Sequence, residues 1–590
     1  MSRYLKIALF ISAATLAACQ TKSKFDKNIT RGELYQHVDF LASDSLMGRF
    51  PGTPFDRVSA KYIRDHFERA GLKMLGEYGY QFFDVILRQS PGRNVLKYNG
   101  LNFEYGLDFA TFPFSANDSI DAKVVFVGYG FKINNDKLSW DDYLAVNVNR
   151  KWVLILRGDP EPDNPNSVFA GQASDRNKVM LAKDNGAAGV ILVSGNLFDP
   201  KDQLVTMDER GYNVGIPVIQ VTRNVADKLL AGVGKVELLE KKLNADRAPL
   251  SRELAQKVYI KTEVNNDART SQNVVALIKG SDPVLAREYI VVGAHYDHLG
   301  TGGKHSNSRT PDTIAVHNGA DDNASGVSAM IEIAQKLSAN RQNLKRSVVL
   351  VAFGAEEMGL IGSQKFVESG IIPVDSIEAM VNLDMVGRMA DNTLQIGGVK
   401  SSVQSVDLLK SLNPDSTLKL AMSPEGYGPS DHASFYTRNI PVFFITTGPH
   451  IDYHTPFDDK EKINFEGMVA ISNYVYSLCH LLATQGQSLT FQEAGPKSQS
   501  IRGRGFKVRL GIIPDVSGMS NNGLKALGVN DNSPAQNAGM QTGDVITAIN
   551  GKSVRNIQDY MYRLSELKAG MTVSVEVRRG DKTIILLVQL

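Results

Sequence analysis

Cysteine is nearly absent: Cys19 and Cys479 are the only two in 590 residues, so no network of disulfides can hold the fold. A surplus of one charge is missing too. Lys plus Arg number 65 against 63 Asp plus Glu, and without a basic excess no broad attraction to nucleic acid is expected. Beyond the N-terminal segment no stretch offers about 18 uninterrupted apolar residues, which excludes an internal membrane-spanning helix by sequence. What remains is an ordinary globular composition in a chain too long for one core, and the length suggests about three or four domains.

The N-terminal segment sets the expected compartment. Arg3 and Lys6 precede a mostly apolar run, 7 to 18, that ends in Leu16-Ala17-Ala18-Cys19. A basic start, a short apolar run and small residues before a cut describe a secretory signal. The cysteine placed directly after them resembles a bacterial lipobox, which implies cleavage before Cys19 and acylation of its thiol and new amine. Such a chain would be held in the bacterial cell envelope by lipid alone, facing the periplasm or the outside, and an acylated Cys19 leaves Cys479 without a partner. The expected order is a signal peptide over 1–18 and a lipidated tether over 19–30.

Residues 31–120 follow as the expected N-terminal part of a peptidase domain. Within them LASDSLMGRFPGTPFDRVSAKYIRDHFERAGLK, 41 to 73, has a Gly/Pro turn and then a helix-spaced apolar pattern closed by Gly71. It has no ligand cluster of its own and is expected to pack against the later catalytic part. From 121 to 266 short apolar runs alternate with turns: DAKVVFVGYG, RKWVLILRG, AAGVILVSG and GIPVIQVT read as strands, and KVMLAKDNG as a helix. This order resembles the protease-associated domain, a β-rich insert of secreted peptidases, and the resemblance implies a lid, a gate or a spacer. After a polar linker, 485–500, the segment 501–590 with AGMQTGDVITAINGKSV resembles a PDZ domain. That resemblance implies either capture of a peptide C-terminus by backbone amides near Leu510 and Gly511 or a packing module that holds no peptide.

The stretch 267–484 carries the chemistry. SQNVVALIKG, EYIVVGAHYDH, RSVVLVAFGAEE, IEAMVNLDMVG and IPVFFITTG are strand-like, and helical patterns lie between them. Several strands end in ligand-type side chains: His295 with Asp297, Glu356 with Glu357, and Asp384. Asp322 precedes a helix, and His454 stands in DYHTPFDD. In open α/β sheets ligands bind beyond the carboxyl ends of strands, and imidazoles with carboxylates gathered there suit zinc.

The motifs GAHYDH, NGADDNASG, GAEEMGLIGS, NLDM, GPSDHASF and HTPFDD, in this order, closely resemble the co-catalytic di-zinc aminopeptidase family, whose relatives include glutamate carboxypeptidase and the transferrin receptor. The fold this implies is α/β: a mostly parallel-sheet zinc exopeptidase domain with the β-rich insert and the C-terminal PDZ domain. Two Zn2+ are implied, His295 and Asp384 binding one, Glu357 and His454 the other, and Asp322 bridging them. Glu356 matches the general base, Asp297 the residue that orients His295, Tyr427 the residue that steadies the oxyanion, and Asp458 the residue that orients His454. His298, His305, His317 and His450 match no ligand position and are expected behind the ligands or at the surface, and Arg388 is open between a substrate carboxylate and an ion pair. The expected function is a lipid-anchored exopeptidase acting on peptides from the N-terminus. A carboxypeptidase of the same fold and a non-catalytic, receptor-like scaffold are the alternatives.

Overall fold

The computed structural model describes residues 28–590 except 137, 163, 165–166, 170, 208–210, 305, 496, 498–507 and 516–521. The signal peptide and most of the tether lie outside the described residues.

The part that carries the 267–484 motifs is built on a nine-stranded mixed sheet. Its centre is parallel: Ser347–Phe353, Tyr289–His295, Ile377–Leu383 and Val442–Thr446 lie side by side in that order. These strands are almost wholly buried and rich in β-branched residues, as parallel strands covered on both faces must be. Antiparallel neighbours flank this centre, among them Val264–Ile278 on one side, the longer form of the SQNVVALIKG strand, and Thr393–Gly397 on the other, which the strand patterns did not reveal. From Tyr289–His295 the chain crosses first to Ser347–Phe353 on one side and then to Ile377–Leu383 on the other, so the sheet order reverses at Tyr289–His295. Such a switch point opens a crevice beyond the strand ends.

Helices Arg31–Leu41, Pro54–Arg69, Gly326–Ala339 and Phe465–Thr484 supply much of the apolar cluster on one face, and Ile361–Glu368 with His432–Tyr436 contribute to that on the other. The 41 to 73 stretch thus packs where expected. Its helix starts at the Thr53 cap, which accepts from Asp56 N, with Pro54 in the first turn, where its missing N–H costs nothing.

The insert has its own eight-stranded sheet, in the order Leu101–Phe103, Val95–Tyr98, Arg252–Thr262, Asp118–Phe126, Trp152–Leu156, Gly189–Val193, Val218–Val221, Phe109–Thr111. Strands between 95 and 111, expected with the peptidase part, therefore belong to the insert's sheet, because the edges of that sheet are completed by segments that precede it. An antiparallel arm of Tyr80–Pro91 against Val264–Ile278 joins the two bodies. Phe83 and Val85 of this arm pack on Ala355 and Ile361, around the turn that carries Glu356 and Glu357.

Part of the expected linker is pinned to the body of the nine-stranded sheet: Phe491 bridges to Ser402, and the Tyr436 hydroxyl accepts from Ala494 N at 2.7 Å. The PDZ body then bridges the other two. Its helix Ile557–Ser565 lies on the insert, where Arg176 donates to Asp559 at 2.7 Å and Arg563 meets Asp184 at 2.5 and 2.9 Å. Lys525 reaches Glu368 of the nine-stranded-sheet body at 3.1 Å. No helix among the described residues is long and apolar enough to cross a membrane.

Candidate metal centre

His295 is the last residue of its strand, Asp384 follows Ile377–Leu383 directly, and Glu356 and Glu357 lie three and four residues beyond Ser347–Phe353. Asp322 sits in the irregular turn Ala320–Ser325 ahead of its helix, and its peptide to Asn323 is cis. His295, Glu356, Glu357 and Asp384 reach the crevice for the same reason, each at or just beyond the end of a strand at the switch point, whereas Asp322 enters it from the turn before a helix.

Asp322 stands at the middle. Its Oδ1 lies 3.2 Å from His295 Nε2, which is also 3.4 Å from Asp384 Oδ1. Its Oδ2 lies 3.2 Å from His454 Nε2, which is 3.2 Å from Glu357 Oε1. One carboxylate therefore faces two imidazole–carboxylate groups in opposite directions. Two further clusters have ligand atoms within 4.8 Å of one another: His295, Glu356 and Asp384, and His298, Asp322 and Glu357.

The electrostatics is that of a cation site. His295 is held well above the ordinary imidazole value: burial opposes its proton, but Glu356, Asp384 and Asp322 outweigh it. His454 rises to about 10 against burial, through its hydrogen bonds to Asp322 and Glu357. Burial pushes Glu356 well above the carboxylate range, and Glu357, Asp431 and Asp384 add to this. Asp322 is well below that range because the imidazoles of His298, His295 and His454 overcome its burial. Asp384 Oδ1 and His298 Nε2 are buried without a hydrogen-bond partner. Buried carboxylates around imidazoles, with orphaned donor atoms among them, fit zinc.

The surrounding residues correct several expectations. The Asp297 carboxylate accepts from the backbone N–H groups of Glu356 and Glu357, at 3.0 and 3.2 Å. Its main-chain oxygen, at 3.2 Å, is what meets His295 Nδ1, with carboxylate Oδ1 at 3.8 Å. Asp458 does not orient His454. It accepts from Asp321 N and Asp322 N at 2.9 and 3.0 Å and so holds the turn of the central carboxylate, while His454 Nδ1 meets the Asn307 carbonyl at 2.9 Å. Arg388 is engaged by Asp452 at 3.0 Å and Asp458 at 3.3 Å. Tyr427 is half-buried beside the cluster that contains Phe353 and Phe435.

His298 lies inside the centre, buried, with Nδ1 2.9 Å from Glu357 Oε1. His317 bonds Ser308 and the Ala315 carbonyl, His450 lies 3.2 Å from Asp321, and His305 is outside the described residues. Sequence reasoning missed Tyr453. Its ring stacks on His454 at 3.8 Å, and burial together with the charges of Asp322, Glu357, Asp384 and Glu356 raises its phenol above the ordinary range. Its one signal was adjacency to His454.

Comparison with known proteins agrees in kind. Residues 273–479 match the family model of Peptidase family M28, 116–229 that of the PA domain and 509–590 that of the PDZ domain. Aminopeptidase YwaD of Bacillus subtilis strain 168 is 27% identical over 348 residues, 56% of this chain and 62% of that protein. Leucine aminopeptidase 1 of Paracoccidioides brasiliensis strain Pb18 is 27% identical over 251 residues, 40% of this chain and 61% of the relative. The chain thus spans about three-fifths of either relative. Among solved structures, an aminopeptidase from Aneurinibacillus sp. strain AM-1 matches at 23% identity with a TM-score of 0.43, covering 80% of this chain and 96% of that one.

Proposed function

We propose that this chain, whose residues 273–479 form a peptidase family M28 domain, is a di-zinc aminopeptidase that removes N-terminal residues from peptides. The observation that carries this is the central Asp322 carboxylate, with one oxygen toward His295 and Asp384 and the other toward His454 and Glu357. His295 and Asp384 would hold one ion, His454 and Glu357 the other, and Asp322 both. Zinc bound there would acidify water to a pKa of roughly 7 and polarise the scissile carbonyl.

The chain's own groups do the rest. Glu356 accepts a proton from the attacking water at its carboxylate and returns it to the leaving amine. Asp297 holds the Glu356 and Glu357 amides and so fixes where that carboxylate points. Two phenols are candidates for steadying charge on the peptide oxygen: Tyr427, which the resemblance implies, and Tyr453, which stacks on His454.

Excess carboxylate near the centre suits an ammonium group, and Arg388, the candidate for a substrate carboxylate, is taken by Asp452 and Asp458. Both favour attack at the N-terminus over the C-terminus. The PDZ body would hold a peptide C-terminus beside Leu510 and Gly511, next to the strand Ile512–Pro514, which among the described residues pairs on one side only. Acylation at Cys19 would anchor the chain in a bacterial cell envelope.

A peptide library offered in free, N-blocked and C-blocked forms tests the proposal by mass spectrometry. Cleavage of free and C-blocked peptides with zinc bound is expected; cleavage of free and N-blocked peptides but not of C-blocked ones would replace it with a carboxypeptidase. A purified chain with neither zinc nor activity after zinc addition would restore the scaffold alternative.

A further inference from the structure

The 41 to 73 stretch supplies no metal ligand, yet it reaches the centre. Met47, Gly48 and Arg49 adopt φ of 45°, 69° and 49° in succession, an arrangement that only a demanding environment sustains in two non-glycine residues. The environment is visible at Gly48. A Cβ there would fall 2.4 Å from the Gly300 carbonyl oxygen and 2.7 Å from that of His317, and Gly300 N donates to Gly48 O at 3.1 Å. The turn is wedged between the loop after His295 and the loop before Asp322.

Its purpose is the next side chain. The Arg49 guanidinium is 1% exposed, and its hydrogen bonds go to main-chain carbonyls: Nε to Tyr296 O at 2.8 Å, Nη1 to Leu41 O and to Asn318 O at 2.6 Å, and Nη2 to Gly319 O at 3.1 Å. Tyr296 lies between His295 and Asp297, and Gly319 is three residues before Asp322. One rigid five-donor fork thus ties the segment of one imidazole to the turn of the central carboxylate. Asp56 holds the other end of Tyr296, accepting from its hydroxyl at 2.6 Å and from Gly52 N at 2.8 Å. Burial lowers the Arg49 guanidinium to about 10, and the nearby carboxylates of Asp322, Asp297, Asp458 and Glu357 oppose that loss without touching the cation.

We propose that Arg49 is a positioning residue of the metal centre: it fixes the separation of the His295 and Asp322 segments through the Tyr296, Asn318 and Gly319 carbonyls, and its buried charge offsets part of the site's carboxylate excess. The proposal rests on the di-zinc peptidase reading. Lysine keeps the charge but cannot span both segments as a planar fork, so Arg49→Lys separates the two contributions.

The test uses the full chain, with zinc alone titrated by calorimetry into metal-free protein and steady-state kinetics on a peptide. In Arg49→Lys, zinc affinity and kcat are each expected to fall about 10- to 100-fold, the scale seen when supports of metal ligands are lost, while KM stays within about threefold. Zinc affinity and kcat per folded molecule equal to wild type would assign Arg49 to general folding and overturn the proposal. Hydrogen exchange on the wild type needs no variant: zinc should protect 44–50 together with 295–300 and 317–322, and unchanged exchange at 44–50 overturns the proposal. A wild type that binds no zinc overturns both this inference and the peptidase reading; one that binds zinc beside an indifferent Arg49→Lys overturns this inference alone.

Discussion

Glu356→Gln is the substitution that separates a proton carrier from a ligand. The side chain is 9% exposed, and its backbone N–H is fixed by Asp297 independently of its own carboxylate. Glutamine keeps size and shape, so the loop should stay where it is while the proton-accepting oxygen is lost. General acid–base groups contribute about 10²–10⁴ in rate, or about 3–5 kcal/mol of barrier. We expect kcat to fall by that factor with KM nearly unchanged and with both zinc equivalents retained, measured by steady-state kinetics beside metal analysis of the same sample. The geometry gives the experiment its edge, because Glu356 has an oxygen within 4.8 Å of ligand atoms of both His295 and Asp384. If the variant loses one zinc, Glu356 is a ligand. If turnover stays within about threefold of wild type, general-base catalysis by Glu356 is refuted.

Asp322→Ala should lose metal and activity together, since both imidazole groups face that carboxylate; full zinc occupancy in the variant would contradict a bridging role. His37, buried between helices, meets Tyr62 Oη and Glu332 Oε1 with its two nitrogens, and burial lowers its pKa to about 4. Its unfolded value is about 6.5, so its contribution to stability is whole above that pH and is lost as the pH falls toward 4. Denaturant unfolding of the metal-free chain should show this loss between pH 7 and pH 4, and His37→Gln should flatten it; parallel curves for the two proteins would contradict the assignment. Asp559→Ala leaves Arg176 nearly buried without its carboxylate, a cost of about 3–5 kcal/mol for a buried pair broken on one side. Limited proteolysis should then cut the segment joining the PDZ body to the rest faster than in wild type, and an unchanged rate would show that the pair does not hold the interface.

The fold class was legible because strands such as Tyr289–His295 and Ser347–Phe353 are continuous buried runs, which announce parallel strands by composition alone. The strands between 95 and 111 were assigned to the wrong body, since a sheet edge gives no local sign of which sheet it completes. At the site, His295, Asp322, Glu356, Glu357, Asp384 and His454 were visible as strand-end or loop motifs, whereas His298, expected behind the ligands or at the surface, lies among them. Their supports were not visible. Asp458 serves the Asp321 and Asp322 amides instead of His454, and Asp297 meets His295 mainly through a main-chain oxygen, because backbone donors and acceptors carry no residue identity in a sequence. Arg49 was hidden for the same reason, bonded only to carbonyls and 246 positions before His295. Tyr453 was overlooked because a tyrosine beside a histidine is unremarkable until its ring is seen stacked on it.

The pairs that dock the PDZ helix on the insert set an order of manufacture. Asp184 waits 379 residues for Arg563, and Arg176 waits 383 for Asp559. At about 5–20 residues per second, a ribosome takes roughly 20–80 s to supply those partners. Throughout that interval the insert's helix carries charged groups shaped for a surface that has not been made. A chain cut short before residue 559 never closes this contact, so the three-body arrangement records that synthesis has passed that point.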